Sequence, residues 1–239
     1  MAWELNQLLK KGAHIITSCD DPLWGDCETL EFEVFKACNY IEHTGKYRID
    51  DFDDYQASVF VLSKGRDLAV TGASRLVLNS SKDMQPGYFP TLACGKCLER
   101  SHRSPAYVPG GSREGKQTLF FYPEAWENIL KIPARRCLDA ATMAVAPEQR
   151  DTKAWGTITS RTLTFAWEHS IRYLMLAADS RVFEKLLHRG LPFAPLGPAV
   201  EYWGSPTIPA LLDTYRVPGG LARLLIPAVK LKKRIGGIK

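Results

Sequence analysis

Cys94-Gly-Lys-Cys97, with His102 five residues further on, has the spacing of half a zinc site. A tetrahedral centre needs four ligands. The chain has no second Cys-x-x-Cys, and completion would draw on distant His14, His43 or Cys137, so no metal is expected. Gly72-Ala-Ser74 carries the first half of a nucleophile elbow but neither its second glycine nor a strand-to-helix turn, which argues against serine hydrolysis. What remains is carboxylate and guanidinium chemistry. Arg48-Ile-Asp50-Asp-Phe-Asp53-Asp-Tyr55 is strongly acidic, and Arg75 follows it in Thr71-Gly72-Ala-Ser-Arg75-Leu76. An arginine so placed pairs either with a ligand carboxylate or with Asp50 and Asp53 as a structural clamp.

The elements that must position these groups read as alternating strands and helices. Thr29 to Tyr40 has Phe32 and Phe35 on one helical side, after a polar, Asp-rich lead. Val59-Phe-Val-Leu62 and Leu68 to Leu78 read as two strands of a hairpin about the turn Lys64-Gly-Arg-Asp67. Asn79 to about Gly115 contains Pro86, Pro90, Pro105, Pro109 and Gly110-Gly111, and reads as an irregular insertion serving as a lid or substrate wall. Tyr122 to Leu130 reads as a short helix with Pro123 in its first turn. Cys137 to Val145 is a strand, and about Thr157 to His169 a helix. Arg172 to Ala178 is a buried strand, and Ser180 to Arg189 a helix capped by Ser180 and ended by Gly190. A parallel or near-parallel β-α-β ending is expected after it.

Composition bounds the rest. With 239 residues, 45% hydrophobic and 24% charged, one α/β domain with a sizeable core is the natural count. The boundaries drawn are a lead over 1–28, a catalytic domain over 29–215 with the insertion at about 79–115, and a basic tail over 216–239. No apolar run reaches bilayer length, the N-terminus lacks a secretory layout, and six scattered cysteines suit a reducing compartment, so a cytoplasmic protein is expected. The net charge of +5 gathers in the tail from Lys230 to Lys239, which reads as a solvated terminus with weak membrane-surface contact as the other use. No aromatic and basic residues interleave, so nucleic acid is not an expected partner.

The acidic segment, the Gly-x-x-Arg-Leu strand and the ending Gly190-Leu-Pro-Phe-Ala-Pro-Leu-Gly-Pro-Ala-Val-Glu-Tyr-Trp-Gly204 resemble, in order and spacing over about residues 30 to 213, the acyl-homoserine-lactone (autoinducer) synthases and the long-chain N-acyl amino acid synthases. The resemblance implies an α/β fold, a Gcn5-related N-acyltransferase-like mixed sheet flanked by helices in three α-β-α layers. It implies an acyltransferase that makes an amide from a fatty acyl thioester and a small amine. No cofactor beyond the substrate thioester is implied. An acidic acyl carrier protein is the implied donor and partner, steered by Arg135, Arg136, Lys153 and Arg161, with coenzyme A as the other donor.

In that architecture the strand Cys137 to Val145 splays from its parallel neighbour Arg172 to Ala178, and the thioester arm enters the opening. Donor contacts then fall to Thr142, Met143, Val145, Arg150 and Met175, with Leu174 beside them, and the loop Pro147 to Gly156 faces the donor phosphate. Asp139 matches an acidic family position and is the first choice of proton acceptor, with Glu201 second. Asp50, Asp53, Arg75 and Phe35 match acceptor-binding positions. Arg48, Glu31 and Thr142 stand where the synthases carry glutamate, arginine and arginine, which reverses or removes charge around the acceptor. A non-catalytic acyl-carrier or lipid-sensing module on the same fold is the alternative in another class.

Overall fold

In the computed structural model the described residues are 15–16, 20–38, 40, 58–65, 68–78, 89–98, 118–149 and 154–218. The expected hairpin is there: β2 (Ser58–Lys64) pairs antiparallel with β3 (Val70–Leu78) from Ser58↔Val77 to Lys64↔Val70. The second strand starts at Val70 because Leu68 turns the chain with φ 68°. β1 (Ile15–Ile16) edges β2, and β6 (Cys137–Val145) lies antiparallel on the far side of β3. Among the described residues the sheet has eight strands in the order β1-β2-β3-β6-β7-β10-β8, where β7 is Tyr173–Asp179, β8 Ala194–Pro195 and β10 Ser205–Asp213; β9 (Val200–Tyr202) pairs the start of β10. It is a mixed sheet: β6 and β7 run parallel, the other pairs antiparallel. The expected parallel β-α-β ending holds in direction: β8 and β9, which follow the helix after β7, both run antiparallel to β10, and β10 lies between them and β7, antiparallel to it from Thr207↔Asp179 to Asp213↔Tyr173. A tight turn at Trp203-Gly204 then turns the chain from β9 back into β10, which inserts antiparallel between β7 and β8.

Helices cover both faces, giving the three layers the sequence implied. α1 (Pro22–Ala37) begins seven residues earlier than its apolar pattern suggests, because Asp21 caps it, accepting from the Leu23 amide at 2.9 Å, and Pro22 fills its first turn. Residues 22–28, assigned to the lead, are therefore its first two turns. Trp24 and Cys27 pack there against Phe60, Leu62 and Ala73 of the hairpin. On the same side, the insertion holds one helical turn, α2 (Pro90–Ala93), and β4 (Gly95–Cys97), which pairs in parallel with β5 (Leu119–Phe121). Phe89 and Leu92 are fully buried and anchor these two short elements inside the stretch read as irregular, whose residues 79–88 and 99–115 lie outside the described ones. α3 (Pro123–Ile129) follows with Pro123 in its first turn. α4 (Ala154–Glu168) and α5 (Ser180–His188) pack on the opposite face with Val59, Val61, Leu138, Leu174 and Leu212. α5 is capped by Asp179, not by Ser180, and ends at Gly190, whose φ of 78° suits glycine.

Candidate active site

The site grows from a defect in β6. Arg75 faces Thr142 but the next residue of β3, Leu76, faces Ala140, so Ala141 is an extra residue with no partner on β3. Such a bulge bends and twists its strand. On the other edge, β6 pairs with β7 only at Cys137↔Tyr173, Leu138↔Leu174 and Asp139↔Met175. The two strands part at the residues where the bulge sits. Backbone N–H and C=O groups of β6 that would have met β7 then face the gap and are available to a ligand.

A cavity of about 220 Å³ occupies the parting. It draws its walls from both cores: Ala140, Leu174, Leu176, Ala178, Leu186 and Phe193 belong to the α4/α5 side, Cys94, Leu119, Ala141, Ala177 and Tyr202 to the other. The cavity therefore passes through the sheet. That α4/α5 side is largely aliphatic, with Phe193 and Trp155 its ring-bearing members, and is completed by Leu163, Val182, Leu191 and Leu212. The other part is aromatic and polar, with Phe35, Tyr40, Tyr202, Trp203, Asp179, Ser205 and Thr207. Tyr40 Oη donates to Asp179 Oδ2 at 3.3 Å, and burial, then the Asp179 charge, hold the Tyr40 hydroxyl above its ordinary pKa, so it stays a donor.

Two buried carboxylates stand just behind the walls. Asp139 is fully buried and accepts from the Thr91 amide at 2.7 Å and the Thr91 hydroxyl at 2.9 Å. Thr91 itself lines the cavity. Glu31, 3% exposed, accepts from the hydroxyl of Thr142, whose Oγ1 also takes the Arg75 amide at 3.4 Å, while Ser74 Oγ holds the Thr142 carbonyl at 2.8 Å. Thr142 thus bridges an acid from α1 to the backbone of a buried arginine on β3.

No protein-family model and no curated protein matches the chain in sequence. Solved structures do match. A CoA-dependent acyl-homoserine lactone synthase, BjaI, solved with S-adenosylmethionine and isopentyl-CoA, superposes with a TM-score of 0.59 at 15% identity, covering 90% of this chain and 88% of that one. A second CoA-dependent acyl-homoserine lactone synthase, MesI, gives 0.55 at 16% identity over 95% and 96%. FeeM, an N-acyl amino acid synthase from uncultured soil microbes, gives 0.51 at 12% over 83% and 95%. The chain has the fold of the acyl-homoserine lactone synthases.

On that synthase fold the sequence-based candidates separate. Phe35, Thr142 and Met143 line the cavity. Arg75 is buried beside Thr142, outside the lining. Val145 pairs with Gly72 at the far end of β6 and packs in the α4/α5 core. Met175 is fully buried on the face opposite Leu174, among Val77, Phe89 and Cys137, because neighbours on a strand point to opposite faces. Asp139 faces the same side as Met175, outside the lining, and reaches the cavity wall through Thr91. Glu201 is half-buried on β9, between Val200 and Tyr202, and its side chain is not part of the lining. Asp50, Asp53, Arg150 and Lys153 lie outside the described residues, as does His102. Cys94 lines the cavity and Cys97 is exposed.

Sequence reasoning missed Asp179, Tyr40 and Trp203. The signals were present but local: Asp179-Ser180 is a cap signature, and Trp203-Gly204 is a two-residue turn. Neither says which cavity the side chain faces. Among the described residues no helix is long and apolar enough to cross a membrane.

Proposed function

We propose that the chain is an N-acyltransferase that forms an amide from a fatty acyl thioester and a small amine, as autoinducer and N-acyl amino acid synthases do. The observation that carries this reading is the cavity through the sheet where β6 leaves β7. A thioester arm lying in that gap replaces the missing strand, its amides meeting the backbone of β6. A fixed N–H beyond Asp139 then receives the carbonyl oxygen as it becomes an oxyanion, at little reorganisation cost. The acyl tail extends among Leu174, Leu176, Leu186 and Phe193, and the acceptor enters from the aromatic end. A cavity of about 150 Å³ already holds a six-carbon ring, so the space suits an acyl segment of at least that bulk.

Thr142 and Met143 flank the reacting carbonyl in this arrangement. Asp139 positions Thr91 and with it the α2 side of the gap. Glu31, fixed through Thr142, sets the charge beneath the site in place of the arginines that the resembled synthases carry.

The donor is an acyl carrier protein, guided by Arg135 and Arg136, which are exposed at the turn leading into β6. Arg161, half-buried on α4 with its pKa lowered by that burial, fits steering less well. The test is thiol release from matched acyl-carrier and acyl-coenzyme A thioesters with a panel of amines, joined to mass spectrometry of extracts from expressing cells. Release of thiol with an N-acyl product supports transfer. No thiol release from either donor with any amine, in folded protein, overturns it, and equal use of both donors at all salt concentrations removes the carrier-protein preference.

A further inference from the structure

The aromatic end of the cavity is built around one carboxylate. Asp179 is the charged residue among the described residues that line the cavity, and its side chain is 8% exposed. Its Oδ1 is used locally, accepting from the Arg181 amide at 2.8 Å to cap α5 and lying 3.5 Å from the guanidinium Nε of Arg181, an ion pair weakened by solvent because the Arg181 side chain is 83% exposed. Its Oδ2 takes the Tyr40 hydroxyl, on the side of the cavity. From Tyr40 a run of rings continues around the opening: Phe35 edge-on to Tyr40 at 5.7 Å, Trp203 edge-on to Phe35 at 6.0 Å, and Tyr202 stacked on Trp203 at 5.7 Å. Two stretches far apart in sequence supply them, one at the end of α1 and one at the β9–β10 turn.

Trp203 is held there against its own preference. It and Gly204 form the two-residue turn between β9 and β10, with φ of 50° and 72°. Both values are positive, which suits Asn-Gly or Gly-Gly and strains an indole-bearing residue. From that turn the indole meets Phe35 edge-on.

We infer that this end is the acceptor subsite and that it takes a monocationic primary amine without a carboxylate. Ring faces attract an ammonium group, more strongly when water is excluded, and a buried carboxylate supplies the counter-charge. An amino acid would instead bring a second anion beside Asp179. The assignment rests on the acyl-transfer reading for its chemistry: the ammonium gives one proton to Asp179, the freed lone pair forms the C–N bond to the thioester carbonyl, and collapse breaks C–S. The second nitrogen proton leaves with the thiolate as thiol, and Asp179 returns its proton to water.

Phenethylamine and phenylalanine, which differ by the carboxylate, test it by calorimetric titration of the full chain. Phenethylamine is expected to bind at least roughly tenfold more tightly. Asp179→Asn, which keeps an N-cap of equal quality, should weaken it roughly tenfold or more with melting unchanged. Trp203→Asn, which suits a positive φ, should hold or raise the melting temperature while weakening the amine. Phenylalanine binding as tightly as phenethylamine, or phenethylamine binding unchanged in either variant, overturns the assignment. Thiol release followed in the same preparations keeps the two readings apart. Amine binding lost in Asp179→Asn while no variant releases thiol leaves the subsite standing and sinks the transferase; thiol release with binding indifferent to Asp179 does the reverse.

Discussion

Thr91 grips Asp139 twice, through its amide and its hydroxyl, across 48 residues of sequence and from a helix of four residues to the centre of the sheet. The grip ties the segment walling the cavity to the last residue of β6 that still pairs with β7. Asp139→Asn leaves one acceptor oxygen and turns an amide donor toward one of Thr91's two donors. Loss of about 1–3 kcal/mol of stability is expected, with Thr91→Val losing a similar amount and Asp139→Asn adding little on top of it. Denaturant melts of the two single variants and the double variant check this; additive losses would show that the pair is not coupled.

Thr142→Val is nearly isosteric but removes the hydroxyl that joins Glu31 to the Arg75 amide. A buried carboxylate deprived of a hydrogen bond costs about 1–3 kcal/mol. Glu31→Gln in the same background should recover part of that, because a neutral amide is cheaper to bury than a charge. A double-mutant cycle by chemical denaturation measures the coupling. A coupling of zero would contradict the bridge.

Ala178 lines the aliphatic part of the cavity and is buried on β7. Ala178→Leu adds bulk to existing space, so the melting temperature should hold or rise. Acyl thioesters with long tails should lose roughly tenfold or more in kcat/KM, since one or two displaced methylenes are worth about 1–3 kcal/mol, while short ones keep theirs. A chain-length profile in steady state decides, and an unshifted profile would place the acyl tail elsewhere.

Arg172 donates from Nη2 to Asp213 at 2.7 Å and from Nε to both carboxylate oxygens at 3.1 Å, tying the start of β7 to the end of β10. The Arg172 hydrogen bond is the main reason the Asp213 carboxyl sits below its ordinary pKa of 3.8. A depressed carboxyl stabilises the fold above its unfolded pKa, and the contribution fades as pH falls below 3.8 toward the folded value. Arg172 is 40% exposed on its side chain, so solvent limits the pair to about 1 kcal/mol at most. Arg172→Ala should therefore lower stability slightly at pH 7, with the difference from wild type shrinking once the carboxyl is protonated. A gap that stays constant from neutral to strongly acidic pH would point to packing against Tyr173 and Tyr215 instead.

Much of this protein was legible in order along the chain. Cys137 to Val145 reads as a strand because its residues are apolar and β-branched or small, and Pro123 and Gly190 mark helix ends because each has a backbone geometry no neighbour can supply. The mixed sheet follows from such signals in sequence. What they leave open is how far each strand stays with its neighbour. The bulge at Ala141 and the parting after Asp139 are agreements between strands 30 to 70 residues apart, and alanine looks the same paired or bulged. Around that parting, strand alternation turns Asp139 to Thr91 and away from the cavity, and tertiary packing sets the second oxygen of Asp179, a helix cap by sequence, against Tyr40. Carboxylates are chemically alike along the chain, and only the packing of distant elements around each one sets its neighbours, its access to water and so its use.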